Sequence, residues 1–409
     1  MVGRSPARCL ERARFSVRGP APTHGASAAL PRRRFHAPSL SFRATWATTS
    51  SPPSPSSPKP QGRSTMLAAV FHENGGPEVV RVEEMDTPRP RPAEVRIRVE
   101  ASSMNHLDLW MRRGLPIEIP MPHIGGSDIA GTVVEAGVGA EDWIGKRVVA
   151  DPSLNYQWYE VARFPRMHME PFQVIGEHTQ GGFAEFAVAP AANLVELPDG
   201  FPAATAAAAA LVAVTAWRGL VTRGGLEKGR RVLITGASGG VSTMAVQFAR
   251  VAGAEVFAVT STAENVERVR ALGAHHVFDR TTTDWGREIH RITEKRGVDL
   301  CLDSVGEAIW PQLLRGLAVG GRLVSFGATT GAAGKVDIRL LFWRQLSIMG
   351  STMGTPDEFR EAMDMVFSGK VTPPIHAVLP LHEARRAHEM LEAGDVFGKL
   401  VLDPTGARS

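Results

Sequence analysis

The stretch Arg231-Val232-Leu233-Ile234-Thr235-Gly236-Ala237-Ser238-Gly239-Gly240-Val241-Ser242 decides how the rest of the chain is read. An apolar, β-branched run reads as a buried strand, and the glycines after it read as a tight turn opening a helix at Val241. Between a strand and a helix, residues without bulk let backbone N–H groups and the helix N-terminus reach phosphate oxygens. A lone glycine motif is weak, and its weight comes from what surrounds it. Downstream the chain alternates between strand and helix patterns. A strand at Glu255–Val259 precedes a helix at Ala263–Leu272, and a short strand follows at Val277. A helix at Trp285–Lys295, a strand at Val298–Leu302, a helix near 308–317 and a strand at Arg322–Phe326 come next. Repeated units of this length predict a doubly wound parallel sheet with right-handed crossovers.

Upstream, from Met66 to about Val195, the pattern is different. Glu94-Val95-Arg96-Ile97-Arg98-Val99-Glu100 alternates polar and apolar residues as a half-buried strand does. Leu67–Phe71, Gly131–Ala136 and Lys146–Ala150 add β-rich runs, with one helix predicted near Asn105–Arg112 and a long loop over 151–180. The tail predicts an edge strand at Ser347–Met349, helices at Pro356–Phe367 and Leu381–Glu392, and a last strand at Lys399–Leu402. The expected division is a leader over 1–65, a β-rich domain over 66–200, a nucleotide-binding domain over 201–345 and a returning segment over 346–409.

The chain has 409 residues, 43% hydrophobic and 22% charged, which excludes collagenous, wholly disordered and multi-span membrane classes. Its net charge of +4 averages two unlike pieces. Residues 1–65 carry ten Arg and one Lys against the single acid Glu11, so the remainder is acidic and gives no reason to invoke nucleic acid. That leader, with ten prolines and eleven serines, has the Arg-rich, Ser-rich, acid-poor composition of an organellar transit peptide. A mitochondrial location is expected from it, or a cytoplasmic one if the working chain starts at Met66. The longest uncharged stretch, Phe201–Trp217, falls short of the ~20 residues that span a bilayer and reads as a buried helix. The cysteines are Cys9 and Cys301, which excludes an internal disulfide in the body and a Cys-rich zinc site.

After the second strand of the nucleotide unit, NAD sites place an Asp or Glu to hold the ribose hydroxyls. Here that position reads Val259-Thr260-Ser261-Thr262, with no acid. Hydroxyls accept a 2′-phosphate that a carboxylate would repel, so NADP is expected, with Ser261 and Thr262 facing it; Arg268 and Arg270 are candidate charge partners, but both read first as a solvated helix face. Asn265 leaves the next helix without a basic residue there.

The glycine run Gly236-Ala237-Ser238-Gly239-Gly240-Val241 and the segment Ser103-Met104-Asn105-His106-Leu107-Asp108, with Arg113-Gly114 following, resemble the zinc-independent quinone oxidoreductase branch of the medium-chain dehydrogenase/reductase superfamily. The similarity runs from Met66 to Pro404. It implies an α/β chain with a GroES-like catalytic domain against a Rossmann domain, the site in the cleft between them, and a homodimer. Zinc members place a Cys, a His in Gly-His-Glu and a further ligand where this chain has Asn105, then Gly126-Ser127-Asp128, then Leu211–Val214. No metal is expected, and no spacing supports a substitute set from His106, His123, His168, Glu177 and His178.

The resemblance implies hydride delivery to an electron-poor acceptor, a quinone or α,β-unsaturated carbonyl. Asn105 and Asp108 are the expected catalytic pair, one donating to the acceptor oxygen or the nicotinamide ribose, the other orienting a water or proton relay. Thr215, Gly236, Ser238, Gly239, Gly240, Val241, Val305, Gly327 and Ala328 are expected along the cofactor, with Lys399 reaching its phosphate. Ser242 stands where a minimal residue is usual and is expected to weaken binding slightly. A cofactor-binding relative with little catalysis and a zinc-type alcohol dehydrogenase remain the alternatives.

Overall fold

The computed structural model describes residues 64–156 and 171–407. Residues 1–63, with Cys9, and residues 157–170, with His168, lie outside the described residues.

The first half forms strands β1 (Thr65–Phe71), β2 (Arg81–Asp86) and β3 (Glu94–Ser103), helix α1 (His106–Arg113), then β4 (His123–Ile124), β5 (Asp128–Ala136) and β6 (Arg147–Ala150). A ribbon of β7 (Ser153–Leu154) and β8 (Gln173–Val174) precedes β9 (Phe186–Pro190) and β10 (Leu194–Glu196). In β3 the apolar members of the alternation, Val95, Ile97 and Val99, are buried and their polar neighbours face out, as a period of two requires.

Helix α2 (Ala203–Trp217) leads into the second half: β11 (Arg231–Ile234), α3 (Gly240–Val251), β12 (Glu255–Thr260), α4 (Ala263–Ala271), β13 (His276–Asp279), α5 (Trp285–Ile292), β14 (Val298–Asp303), α6 (Trp310–Gly316) and β15 (Leu317–Ser325). After α7 (Ile338–Trp343) and β16 (Ser347–Gly350) come α8 (Pro356–Phe367), β17 (Ile375–Pro380), α9 (Ala384–Ala393) and β18 (Lys399–Asp403). The six strands β13-β12-β11-β14-β15-β16 pair in parallel throughout, the doubly wound order. The central strands β11, β12 and β14, buried on both faces, read as near-continuous apolar runs. The sixth, β16, lies past the 345/346 division read from sequence, so the return to the first half starts at β17. There β17 and β18 add to the seven-stranded sheet β10-β6-β5-β3-β18-β17, with β9 also on β3.

Helix α2 joins the halves. Ala206 to Ala210 are all fully buried, because methyl side chains let sheet strands β3 and β5 on one side and helices α3 and α8 on the other approach closely. With its π-helical continuation the helix runs Ala203–Arg223, 21 residues, long and apolar enough to cross a membrane, contrary to the length read from the uncharged stretch. Its apolarity is explained by 72% burial of that window inside the protein.

Several bounds move for local reasons. Helix α5 stops at Ile292 rather than Lys295, since Glu294 and Lys295 take positive φ (52° and 64°). Helix α9 starts at Ala384 because Leu381–Glu383 forms a 3-10 turn. Strands β2, β9 and β17 depart from the sequence reading; four of the six residues of β2 are charged and β17 carries exposed members, which blurs the alternation.

Candidate active site

The glycine turn lies where the sequence places it. Gly236 takes φ +54°, open to glycine at little cost, and Gly239 donates to the Gly236 carbonyl at 2.9 Å. The first intrahelical bond of α3 runs from Thr243 N–H to the Gly239 carbonyl, so the Gly240, Val241 and Ser242 amides are the donors a helix start leaves without an intrahelical partner. A Cβ on Gly240 would sit 2.6 Å from Lys399 Cδ and 3.1 Å from Val212 Cγ1. Ser242 is buried and its hydroxyl donates to the Thr235 carbonyl at 2.8 Å, so the extra atom is accommodated by the preceding strand. The C-terminal element also meets this turn, with Gly398 N–H donating to the Ser238 carbonyl at 2.8 Å.

A cavity of roughly 540 Å³ opens from the turn into the cleft between the halves. Gly236, Ser238, Gly239, Gly240, Val241 and Ser242 form one wall, joined by Val305, Phe326 and Gly327 at the carboxyl ends of β14 and β15. Thr215 lines it too, its hydroxyl donating back to the Leu211 carbonyl at 2.7 Å. Toward the first half the lining is mainly apolar: Trp110, Leu115, Phe172, Met353 and Leu391, with His106, Glu177 and His178 as polar members. The cradle suits a dinucleotide: a glycine turn with Gly240 packed tightly against the Lys399 stem and Val212, and a helix start facing the cavity.

The second-strand end departs from expectation. Thr262 caps α4, its hydroxyl accepting Asn265 N–H at 3.1 Å, and neither it, Ser261 nor Ala328 is part of the cavity lining. Arg268 pairs with Glu264 and lies over the Phe397 ring at 5.4 Å, and Arg270 pairs with Glu267 at 2.5 Å.

The cleft floor differs more. Asp128, fully buried at the head of β5, accepts from Ser103 Oγ (2.5 Å), Asn105 Nδ2 (3.0 Å) and Lys399 Nζ (3.1 Å) on Oδ2, and from Leu211 N–H (2.8 Å) on Oδ1. Lys399 Nζ also donates to Asn105 Oδ1 at 2.6 Å. Lys399 therefore does not extend to a phosphate: its stem crosses Gly240 and its ammonium is held at the floor. Asn105 is the N-cap of α1 and lines the cavity as expected, with one Nδ2 hydrogen taken by Asp128.

Asp108 is not a relay group in this arrangement. Both its oxygens are occupied by backbone amides, Oδ2 by Asn105 N–H (2.7 Å) and Oδ1 by Gly126 N–H (3.0 Å), and it does not line the cavity. Burial pushes its carboxyl up to about 6 while those two amides pull it back. It positions the helix start that carries Asn105. In the sequence Asp128 stands out only by its place in Gly126-Ser127-Asp128, where zinc members have Gly-His-Glu. An aspartate heading the apolar run Ile129-Ala130 was the available sign of a buried polar hub. The set His123, Glu177 and His178 does not converge either: His123 pairs with the Gly176 carbonyl at 3.0 Å, and His178 Nδ1 accepts Val174 N–H at 3.2 Å. Among the described residues no three His, Cys, Asp or Glu gather as a metal site, and the floor already holds a cation in Lys399, a donor set that does not suit zinc.

A separate network closes the far side. Arg218 pairs with Glu358 at 2.7 Å, under the Tyr156 ring, and the Tyr156 hydroxyl donates to the Thr352 carbonyl at 2.7 Å. Thr352 and Met353 line the cavity, so this lock ties its wall to both halves.

Residues 91–199 match the family model described as alcohol dehydrogenase GroES-like domain, and 240–368 match zinc-binding dehydrogenase. The chain is similar to a solved NAD-dependent alcohol dehydrogenase, 37% identical, covering 83% of this chain and 99% of that one with a TM-score of 0.77. A 2-octenoyl-CoA carboxylase reductase solved with NADP and 2-octenoyl-CoA is 28% identical, covering 83% and 87%, with a TM-score of 0.76. The human quinone oxidoreductase is 27% identical over 353 residues, 83% of this chain and 98% of that one.

Proposed function

From a chain that belongs to the medium-chain dehydrogenase/reductase superfamily, an oxidoreductase family, we propose an NADPH-dependent reductase of quinones or α,β-unsaturated carbonyls that works without zinc. The observation that carries this reading is the floor: where a polarising metal would sit, the cleft presents a buried ammonium and an amide, beside a mainly apolar acceptor wall. When bound, the reduced nicotinamide supplies a hydride to the acceptor. Gly236 to Ser242 and the start of α3 hold its pyrophosphate, Thr215 and Gly327 flank it, and Trp110, Phe172 and Leu391 exclude water from the acceptor. The carboxylate-free end of β12 favours the 2′-phosphorylated cofactor.

Turnover of NADPH and NADH against a panel of quinones, enones and alcohols tests the reading. Oxidation of NADPH by quinones or enones supports it. Cofactor binding without turnover, alcohol oxidation, or a tenfold preference for NADH refutes it. Exposed Phe342 and Trp343 on α7, with Ile348 on the edge strand β16, support assembly as a homodimer, checked by sedimentation of the wild type and Trp343→Glu. The Arg- and Ser-rich leader supports mitochondrial targeting, and the N-terminus of the mature protein in cells tests it.

A further inference from the structure

The cleft floor has more hydrogen-bond donors than the fold uses. Lys399 Nζ carries three hydrogens and gives two, to Asn105 Oδ1 and Asp128 Oδ2; Asn105 Nδ2 carries two and gives one, to Asp128. Among the described residues no acceptor pairs with the remaining two. Both side chains line the cavity, and Lys399 is only 3% exposed.

Stability does not account for this lysine. Asp128 already receives three donors from Ser103, Asn105 and Leu211, and buried ion pairs are commonly no better than apolar residues of similar volume. An ammonium kept at the cavity by a saturated carboxylate is, however, preorganised to meet negative charge that develops beside it. Such donors act most strongly where water is excluded.

We propose that Lys399, held by Asp128 and flanked by the Asn105 amide, is the electrophilic group that binds the acceptor's carbonyl oxygen. The proposal rests on the reductase reading and names the residues that make it work. An enone that takes a hydride at its β-carbon moves its C=C electron pair toward oxygen, giving an enolate whose charge faces the spare Lys399 and Asn105 hydrogens. A proton from solvent then adds at the α-carbon, so Lys399 keeps its own. Two electrons enter with the hydride from the reduced nicotinamide. Asp128 is the positioning residue; Ser103 and Leu211 N–H fix Asp128 in turn.

The test compares wild type with Lys399→Met, Lys399→Arg and the charge-neutral pair Asp128→Asn with Lys399→Met, which avoids an unpaired buried carboxylate. The expected result is that the double variant keeps its melting temperature and its NADPH Kd within threefold. It should lose 10²–10³-fold in kcat/KM for an enone. Lys399→Arg recovers part of that loss. Without turnover, 4-nitrophenolate, an oxyanion probe, should bind wild-type protein at least tenfold more tightly than the double variant. An active double variant assigns Lys399 a structural role and overturns the proposal. So does a tenfold weaker NADPH Kd at unchanged kcat, which assigns it to the cofactor, or equal phenolate binding by both proteins. Wild-type protein that binds NADPH but reduces no acceptor overturns the reductase reading as well.

Discussion

Replacing Glu358 by alanine probes how firmly the cavity wall is tied to both halves of the molecule. Its Oε2 takes Arg218 NH1 at 2.7 Å and Thr355 N–H at 2.7 Å, and Oε1 takes the Thr222 hydroxyl. Arg218 and Glu358 are nearly buried, with side chains 5% and 11% exposed, so water cannot replace the lost partner. Breaking such a pair from one side costs about 3–5 kcal/mol, and the capping box at Thr355 adds about 1 kcal/mol. Because one carboxylate serves both, the expected loss is about 4 kcal/mol rather than the full sum. Urea unfolding of the two proteins at pH 7 reads it directly. Arg218→Met combined with Glu358→Met leaves no unpaired charge and should recover most of the loss. Thr352 and Met353 ride on the same lock, so the acceptor KM should rise in the alanine variant while the double variant approaches wild type. A loss under about 1 kcal/mol, or a double variant as unstable as the single, refutes this account.

Asp151 is buried and its carboxyl is pushed from 3.8 to about 7 by loss of hydration. The native state then holds a proton that the unfolded state has released, so stability falls as pH rises from about 4 to 7, by roughly 4 kcal/mol in the limit. Asp151→Asn should be more stable than wild type at pH 8, and the gap should narrow below pH 7 and close near pH 4; a pH-independent gap in urea unfolding contradicts the sign. Gly240→Val places branched bulk where even a Cβ would sit 2.6 Å from Lys399 Cδ, and NADPH should bind at least tenfold more weakly by fluorescence titration. Unchanged affinity would mean that the turn does not cradle the pyrophosphate. Ser261→Asp restores a carboxylate after β12 and should move the NADPH/NADH ratio of kcat/KM at least tenfold toward NADH. A ratio that stays put removes the end of β12 from cofactor choice.

The parallel sheet and the glycine turn were legible because their signals are local. A strand, a turn of small residues and a helix start follow one another within twelve residues, Arg231 to Ser242, and the physics that links them acts over the same distance. The alternation in Glu94–Glu100 is equally local. Where neighbours compete, legibility fades: β2 and β17 pair at sheet margins, and their charged or exposed members mask the period. Asn105 was found because it stands in the segment Ser103–Asp108 that carries the family resemblance. The role of Asp108 was misread, since sequence spacing places it on a helix face but does not show that Gly126 N–H waits opposite.

By itself the sequence determined the class of the fold, the place of the nucleotide turn and the identity of the residues that could line a cleft, since each follows from periodicity and side-chain size among near neighbours. Only the tertiary structure decided what the charged ones do. Lys399 and Asp128 are 271 residues apart, and they meet because sheet order places β5, β3 and β18 side by side. In that water-excluded floor a lysine expected on a phosphate is drawn instead to a buried carboxylate, because an uncompensated charge there costs more than any local preference of the chain.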